Sequence, residues 1–380
     1  MNKLDLQILD IVDEISRYNR ETHHQQDTSK NSILAYQINF NVENEFPYSE
    51  LIKIDLNSVI HEVLWTLSSY DKEYVSNNKT NIKYLLDNGV CMFNDTLYRN
   101  YTNAMIREHK GNKKLKLLSI NNFISKLKTD ADFMSEYGDV GPVMPKQLLD
   151  WGGYSEIVEK TVNYKETNAN TLLVDRLGSE KIYMRGVNQL NNALKSLGSN
   201  PNEAFRISFT NVSDNDDLLI PNRIDDILLY SQVMNIEERI DYCEDNVNSD
   251  DVLAYMSKND VSGWSDIRKH PLKQIKILDR FNIPDRKLSM VSNSSSVNVT
   301  NIPALMAFDT ILLSLIAHVA DMVPYELRVN MTDVYKLSSD AISDDSDGYE
   351  NYKLFLNKEI ESIYDFRSSD IVLKNNSDNQ

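Results

Sequence analysis

The chain has 380 residues and a formal net charge of -17. This length suffices for one large domain or two ordinary ones with a buried core, and the charge argues against broad attraction to nucleic acid or an anionic membrane. The two cysteines, Cys91 and Cys243, cannot form a disulfide framework or a four-cysteine zinc site. We therefore expect a protein of the reducing cytosol.

The first half of the chain begins with helical and strand patterns. Residues 1–20 alternate charged and aliphatic side chains at helical spacing, which predicts an amphipathic helix and not a signal peptide. A strand is predicted over Ser32 to Val42. Asn57 is the predicted N-cap of an apolar helix over residues 58–69, and a second helix over 81–88 is predicted to stop before Gly89.

Glycine is unevenly distributed. The chain has only 11 glycines, under half the roughly 7% of ordinary usage, yet four of them lie between residues 138 and 153. This concentration predicts a turn whose backbone geometry requires glycine. The lysine-rich stretch before it, Arg99 to Lys128, is interpreted as part of a peripheral insertion over residues 99-135.

The second half mixes strands with helices. A helix is predicted over Val187 to Leu197, and a polar segment, 237-285, is interpreted as inserted helical decoration. The apolar window 302–322 contains Asp309, His318 and Asp321, so a buried core helix is favoured over a membrane span. Four strands are predicted, at residues 205–212, 227–236, 287–299 and 327–335.

The order of these elements indicates the fold class. Helices and strands are mixed without strict alternation, which is typical of an α/β protein in the broad α+β sense, with one main sheet covered by helices. No Pro- or Gly-rich linker divides the chain, so residues 1-365 are predicted to form a single domain. The polar end, residues 366-380, is predicted to be a disordered tail.

Five segments of the chain follow one another as they do in a known enzyme family. They are FPYSELIKIDLNSVIHEVLW, TNIKYLLDNGVCMFND, GDVGPVMPKQLLDW, GVNQLNNALKSLGSNP and IPALMAFDTILLSLIAHVADMVPYEL. In this order they resemble the thymidylate synthase and deoxypyrimidine-nucleotide hydroxymethylase family. The resemblance implies a large twisted mixed sheet flanked by helices, with helical insertions, that dimerises through a face of the sheet. The glycine cluster corresponds to the family's turn in the third segment.

The resemblance also implies a catalytic requirement that this chain does not meet. In the family a cysteine thiolate adds to C6 of the pyrimidine and activates C5 toward the one-carbon unit of methylenetetrahydrofolate. The family's Leu-Pro-Pro-Cys-His corresponds to residues 219–223 here, so Asn222 lies at or next to the nucleophile position. An amide cannot make this attack. Cys243 is followed by two acidic residues that disfavour its thiolate, and Cys91 lies in a different segment.

Other site residues are implied one by one. Glu62 matches the family's catalytic glutamate, which organises proton transfer near C4 of the pyrimidine; a surface glutamate is the alternative interpretation. Arg20 matches the phosphate-binding arginine of the Asp-Arg-Thr-Gly loop, and Arg206 and Arg223 are further candidates for nucleotide phosphate. Phe93 replaces the tryptophan that faces the folate cofactor.

Several polar residues of the family site are replaced. The Gln-Arg-Ser-x-Asp segment reads Ser294 to Asn298, and the asparagine that reads the pyrimidine edge is Leu305. The His-x-Tyr motif becomes Tyr335 to Leu337, which predicts loss of the sugar contacts. The apolar faces of the helices and the turns match the family, whereas most of the polar residues that bind nucleotide do not. This pattern is expected of a fold retained after its chemistry was lost.

Two functions follow from these replacements. The favoured one is a protein inactive in C5 methyl transfer, which acts without a cofactor as a nucleotide-binding, regulatory or structural partner, either as a homodimer or as a heterodimer with an active relative. The alternative is an active C5 methyl- or hydroxymethyltransferase for dUMP or dCMP with a rearranged site, which would use methylenetetrahydrofolate. No metal, membrane or nucleic-acid partner is expected. The predicted location is the cytoplasm, or the host cytoplasm if the source is a phage-like virus.

Overall fold

A computed structural model of the protein describes residues 2–18, 21–23, 29–68, 80–108, 116–152, 154–159, 171–176, 179–184, 186–200, 202–211, 222–247, 249–340, 342 and 352–375. The helices are α1 Lys3–Tyr18, α2 Leu56–Ser68, α3 Lys83–Asp87, α4 Asn94–Glu108, α5 Ile120–Thr129, α6 Ala131–Tyr137, α7 Met144–Leu149, α8 Gln189–Ser199, α9 Ile236–Asn246, α10 Ser249–Lys258, α11 Trp264–Lys269, α12 Pro271–Arg280 and α13 Ile302–Val319. The strands are β1 Glu21–His23, β2 Ser29–Asn41, β3 Tyr154–Glu159, β4 Thr171–Arg176, β5 Ser179–Met184, β6 Ala204–Ser208, β7 Asp226–Val233, β8 Arg286–Asn298, β9 Val323–Leu337, β10 Tyr352–Leu356 and β11 Ile371–Asn375.

The main sheet is mixed and contains six strands in the order β1-β2-β9-β8-β7-β6. Strands β8 and β9 are parallel and the other neighbours are antiparallel. A parallel pair needs a long crossover connection, and α13 provides it. The predicted mixed sheet flanked by helices is therefore confirmed.

Helix α13 lies at the centre of the core. It packs on β8, β9 and α2, and nearly all its residues are buried, from Ile302 to Ala317. A helix that is apolar on all sides belongs in the interior. It is the one stretch among the described residues long and apolar enough to cross a membrane, and 83% of that window is buried inside the fold.

The opposite face of the sheet is polar. Four side chains in directly paired positions of β2, β9, β8 and β7 hydrogen-bond in series: Gln37 to Asn330 at 2.7 Å, Asn330 to Asn293 at 2.9 Å, and Asn293 to Asp226 at 2.9 Å. Residues one position along, such as Val329 and Ile227, are fully buried. The alternation of a strand therefore separates a core face from a polar face.

Both predicted insertions are helical; the first shares a hydrophobic cluster with α2 and α3, and the second has a cluster of its own. Helices α4 to α6 bring together Tyr101, Phe123 and Phe133, with ring centroids 5.1 to 5.8 Å apart. Helices α9 to α12 enclose Cys243, which is fully buried among aliphatic side chains. Arg268 of α11 contacts three carboxylates of α9, Glu237, Asp241 and Glu244. The acidic start of this insertion is therefore partly neutralised within it.

Other boundaries differ from the predictions. Helix α2 begins at Leu56, so Asn57 lies inside it and is not the cap. Strand β6 ends at Ser208, earlier than expected. Residues 371–375, which we expected in a disordered tail, form β11 and pair with β10. Ile371 is 4% exposed, because the hairpin covers the core, and this apolar contact outweighs the polar composition around it. The sheet β3-β5-β4 was not predicted.

Candidate functional site

A cavity of about 790 Å³ opens beside the carboxyl end of β8. It is enclosed by α2, the segment before α4, the turn before α7, the loop before β7, β8 and the start of α13. Four of the residues predicted for the site from sequence line its wall: Glu62, Phe93, Asn222 and Arg223. Phe93 is the one expected to face the folate cofactor. Residues far apart in the chain are thus brought to one volume large enough for a small-molecule ligand.

Helix α2 directs two polar side chains and one aromatic side chain into the cavity. Glu62, Trp65 and Thr66 all line it, because residues three and four positions apart lie on one helix face. The neighbouring stripe, including Val63 and Leu67, faces the core. The Trp65 ring nitrogen donates to the carbonyl of Asn81 at 3.0 Å. This bond fixes the ring against the wall.

Glu62 is buried, at 5% exposure, and forms an ion pair with Arg223. The Arg223 Nη2 atom donates to Glu62 Oε2 at 2.8 Å. Burial raises the pKa of Glu62, and the charge and hydrogen bond of Arg223 act in the opposite direction. The guanidinium also lies over the ring of Phe308, 5.8 Å from its centroid. Arg223 is therefore held between a carboxylate and an aromatic face.

A second buried carboxyl group lies behind this pair. Asp309 is fully buried on α13, and burial raises its pKa to about 7, while the Ser292 hydroxyl and the Arg223 charge lower it. Neither Asp309 oxygen accepts a well-formed hydrogen bond within the described part of the chain. A charged carboxylate without such bonds is costly in the interior. The side chain is therefore neutral at mildly acid pH.

The positions of Asn222 and the two cysteines show whether a thiol could act as a nucleophile in the cavity. The Asn222 amide lines the cavity and donates from Nδ2 to the carbonyl of Phe209 at 2.5 Å. No cysteine lines the described wall of the cavity. Cys243 is buried in the helical insertion, where burial raises its thiol pKa to about 11. Cys91 is exposed, although its neighbour Met92 lines the cavity.

One wall is apolar. Phe93 packs against Trp65 with ring centroids 5.6 Å apart, and Val143, Met144 and Leu305 complete the surface. Leu305, at 1% exposure, is the predicted replacement for the family's base-reading asparagine. This wall suits the flat face of a heterocyclic ring. Phe93 and Trp65 are the residues that could hold a pterin there.

The facing wall carries hydroxyl and carboxyl groups. Ser295 donates to Asp225, and both line the cavity. Ser296, also on the wall, donates to Asp333 at 2.9 Å, and Asp333 binds Lys30 at 2.6 Å. Burial raises the pKa of Asp333, but bonds from Lys30, Ser296 and Ser32 outweigh it, so the pKa is lowered.

Tyr335 also lines the cavity, under the Lys30 ammonium at 4.3 Å from its ring centroid. A tyrosine is therefore present where sequence comparison led us to expect that the sugar contacts had been lost.

The glycine turn borders the same cavity. Gly141 has φ +86, a conformation that favours glycine. Asp139 fixes this turn, because its Oδ1 accepts from the backbone N–H of Gly141 at 2.9 Å and of Thr80 at 3.0 Å. Val143 and Met144 follow directly and reach the cavity wall. The predicted turn thus positions part of the site.

The predicted phosphate contacts are not all brought together. Arg206 lies on β6 with its side chain 67% exposed and its Nε 3.8 Å from Asp226, away from the cavity wall. Arg20 lies outside the described residues. Arg223 reaches the cavity but pairs with Glu62. The sequence did not predict that Asp225 lines the cavity or that Asp309 lies buried beside Arg223. For Asp309 a signal was available, because it is a single aspartate in an apolar helix.

Metal binding has no support in the described part of the chain, where no three His, Cys, Asp or Glu side chains cluster in a way that could hold an ion.

Comparison with known proteins agrees with the sequence motifs. Thymidylate synthase from Mycoplasma genitalium (strain ATCC 33530 / DSM 19775 / NCTC 10195 / G37) is 30% identical over 169 residues, covering 44% of this chain and 53% of the relative. The enzyme of Aster yellows witches'-broom phytoplasma (strain AYWB) is 32% identical over 130 residues, covering 34% and 39%. That of Mycoplasma pneumoniae (strain ATCC 29342 / M129 / Subtype 1) is 27% identical over 151 residues, covering 40% and 47%.

The chain thus spans about half or less of the length of these relatives. The family model described as Thymidylate synthase matches residues 6–221, and so ends one residue before Asn222. That match includes α2, Glu62, Phe93 and the glycine turn. Since it extends over more than half of the 380 residues, the chain belongs to the thymidylate synthase family.

Proposed function

We propose that this protein binds a pyrimidine deoxynucleotide-type ligand in the cavity but does not catalyse C5 methyl transfer, and that it acts as a nucleotide-binding, regulatory or structural partner. The observation that carries the proposal is the described cavity wall, which has Asn222 and Arg223 in the segment matched to the family nucleophile and no thiol. Without a nucleophile, C5 of the pyrimidine is not activated. Loss of a nucleophile costs about 10⁶ in rate in a well-studied covalent enzyme.

The Glu62–Arg223 pair supports the same proposal. In the family the matched glutamate acts on protons near C4 of the pyrimidine. Here its Oε2 atom accepts from Arg223 at 2.8 Å. A carboxylate engaged by a guanidinium is a weaker base than one whose pKa is raised by burial alone. Arg223 therefore favours recognition of a ligand over proton transfer to it.

The test is release of tritium from C5-labelled dUMP and dCMP, with and without methylenetetrahydrofolate. We expect the wild-type protein to release tritium no faster than the Glu62→Gln variant, while an active thymidylate synthase serves as the positive control. Calorimetry with both nucleotides measures binding separately. Release well above the Glu62→Gln variant would refute the proposal.

A second candidate is an active transferase with a rearranged site, favoured by Glu62 in the cavity and by the aromatic pair that could hold a pterin. Methylenetetrahydrofolate would then supply the one-carbon unit, Phe93 and Trp65 would pack on its ring system, and Glu62 would hold the proton near the pyrimidine. The tritium assay distinguishes the two candidates. In either case we propose that the protein is cytoplasmic and that it pairs with a second copy of itself or with an active relative. We also propose that its gene comes from a phage-like genome.

A further inference from the structure

We infer that the cavity takes an uncharged pyrimidine deoxynucleoside in preference to its 5′-phosphate. This inference rests on the proposed function, since it names the class of ligand for the same site. Its basis is the charge of the described wall, which contains two carboxylates, Glu62 and Asp225, and one guanidinium, Arg223. The described wall is therefore formally negative, and a phosphomonoester brings a further charge of about -1.5 to -2 at pH 7.

The single cation of this wall is already engaged. Arg223 pairs with Glu62 at 2.8 Å and lies over Phe308. Moving it to a phosphate would leave Glu62, at 5% exposure, as an unpaired buried carboxylate, which is costly. The nearby cation Lys30 binds Asp333 at 2.6 Å. A phosphate would therefore have to share either cation with a carboxylate that already binds it.

The segment matched to the family's phosphate arginine has no cation and binds a carboxylate from the loop before β7. Ser295, in the segment Ser294 to Asn298, donates its hydroxyl to Asp225. A guanidinium that would attract phosphate is thus replaced by a hydroxyl bound to a carboxylate. Such a pair repels a phosphate but can accept a hydrogen bond from a sugar hydroxyl, since a carboxylate has two acceptor oxygens.

The Glu62–Arg223 pair and the aromatic wall suit a neutral base. A carboxylate and a guanidinium joined by one hydrogen bond retain both acceptor and donor capacity. Side by side, Glu62 and Arg223 can therefore meet the alternating N–H and C=O groups of a uracil or thymine edge. Phe93 and Trp65 offer an aromatic surface for its face. These contacts require no charge on the ligand.

The experiment is calorimetric titration of the full-length protein with deoxyuridine and with dUMP at equal, low ionic strength. We expect deoxyuridine to bind about tenfold more tightly, the effect of one unscreened carboxylate near a phosphate. Added salt should narrow the difference by screening the repulsion. Asp225→Asn should tighten dUMP binding selectively. Asp226→Asn is the matched control, because Asp226 lies on the polar sheet face and bonds to Asn293 at 2.9 Å.

Three results would overturn the inference in different ways. If dUMP binds more tightly than deoxyuridine, and Arg20→Ala abolishes that advantage, the phosphate preference of the site has been retained and only this inference fails. If neither ligand binds the wild-type protein, both the inference and the proposed function fail. The inference would also be contradicted if deoxyuridine and dUMP bound with equal affinity and Asp225→Asn changed neither affinity. The Asp225 carboxylate would then have no effect on the binding of the phosphate.

Discussion

Asp309 gives the sharpest prediction about stability, because its burial makes the folded state sensitive to pH. Its pKa is raised from 3.8 to about 7 in the folded protein. The folded state therefore retains a proton that the unfolded chain releases above pH 4. The stabilisation is complete below the unfolded pKa and is lost as the pH rises through the folded pKa.

The size of the effect follows from the shift. The interval from pH 5 to about 7 spans two pH units, and at about 1.36 kcal/mol per unit the loss is about 3 kcal/mol. Asp309→Asn keeps the shape of the neutral acid but cannot ionise. The variant should therefore match the wild type within about 1 kcal/mol at pH 5 and exceed its stability by about 3 kcal/mol at pH 8.

Urea unfolding at pH 5, 6, 7 and 8 measures this difference, with equal slopes against urea as the check that the same transition is compared. Asp279→Asn is the control, since this aspartate is exposed on α12, and it should change stability by less than about 0.5 kcal/mol at every pH. A difference between Asp309→Asn and the wild type that stays constant from pH 5 to pH 8 would contradict this prediction, because Asp309 would not change its charge in that range.

Two further predictions concern the cavity and its border. Arg223→Met leaves the Glu62 carboxylate buried without its partner and should lower the free energy of unfolding in urea by about 3–5 kcal/mol. The double variant Arg223→Met with Glu62→Gln should recover at least half of this loss. Equal losses in the single and double variants would show that the pair is not coupled. Gly141→Ala should cost about 1–2 kcal/mol because φ is +86. Gly198→Ala, in α8 with open space around the new methyl group, should gain up to about 1 kcal/mol, and thermal unfolding of both variants tests the contrast.

The sequence was informative where local pattern and burial agree. The apolar run of α13 could only be a buried helix, because its polar residues disfavour a membrane and its length exceeds a strand. Strands β8 and β9 were recognised from alternation, but their parallel pairing required α13 to cross between them. Gly141 was found because a scarce residue type was concentrated at one turn. In each case the signal lies within a few residues along the chain.

The sequence was less informative where tertiary contacts override local composition. Strand β11 is a short apolar run, residues 371–373, in a polar stretch of the chain, and it forms because β10 and the core provide a surface for it. Asn57 is a residue type that favours the N-cap position, but α2 already begins at Leu56, one residue before it. Arg206 resembles a phosphate ligand in sequence, yet the alternation of β6 directs it to solvent beside Asp226. The outcomes for β11 and Arg206 depend on which face a strand buries.

The family, the mixed sheet and the core helix could be predicted from the sequence, which also leads us to expect no cysteine at the matched nucleophile position. It also predicts Glu62, Phe93, Asn222 and Arg223 as site residues, from their positions in motifs along the chain. The folded structure is needed to show that these four residues line one cavity and that Arg223 pairs with Glu62. It alone positioned Asp225 on the cavity wall and Asp309 next to Arg223. The reason is physical: charge pairing and desolvation depend on distances between residues that are far apart in the chain.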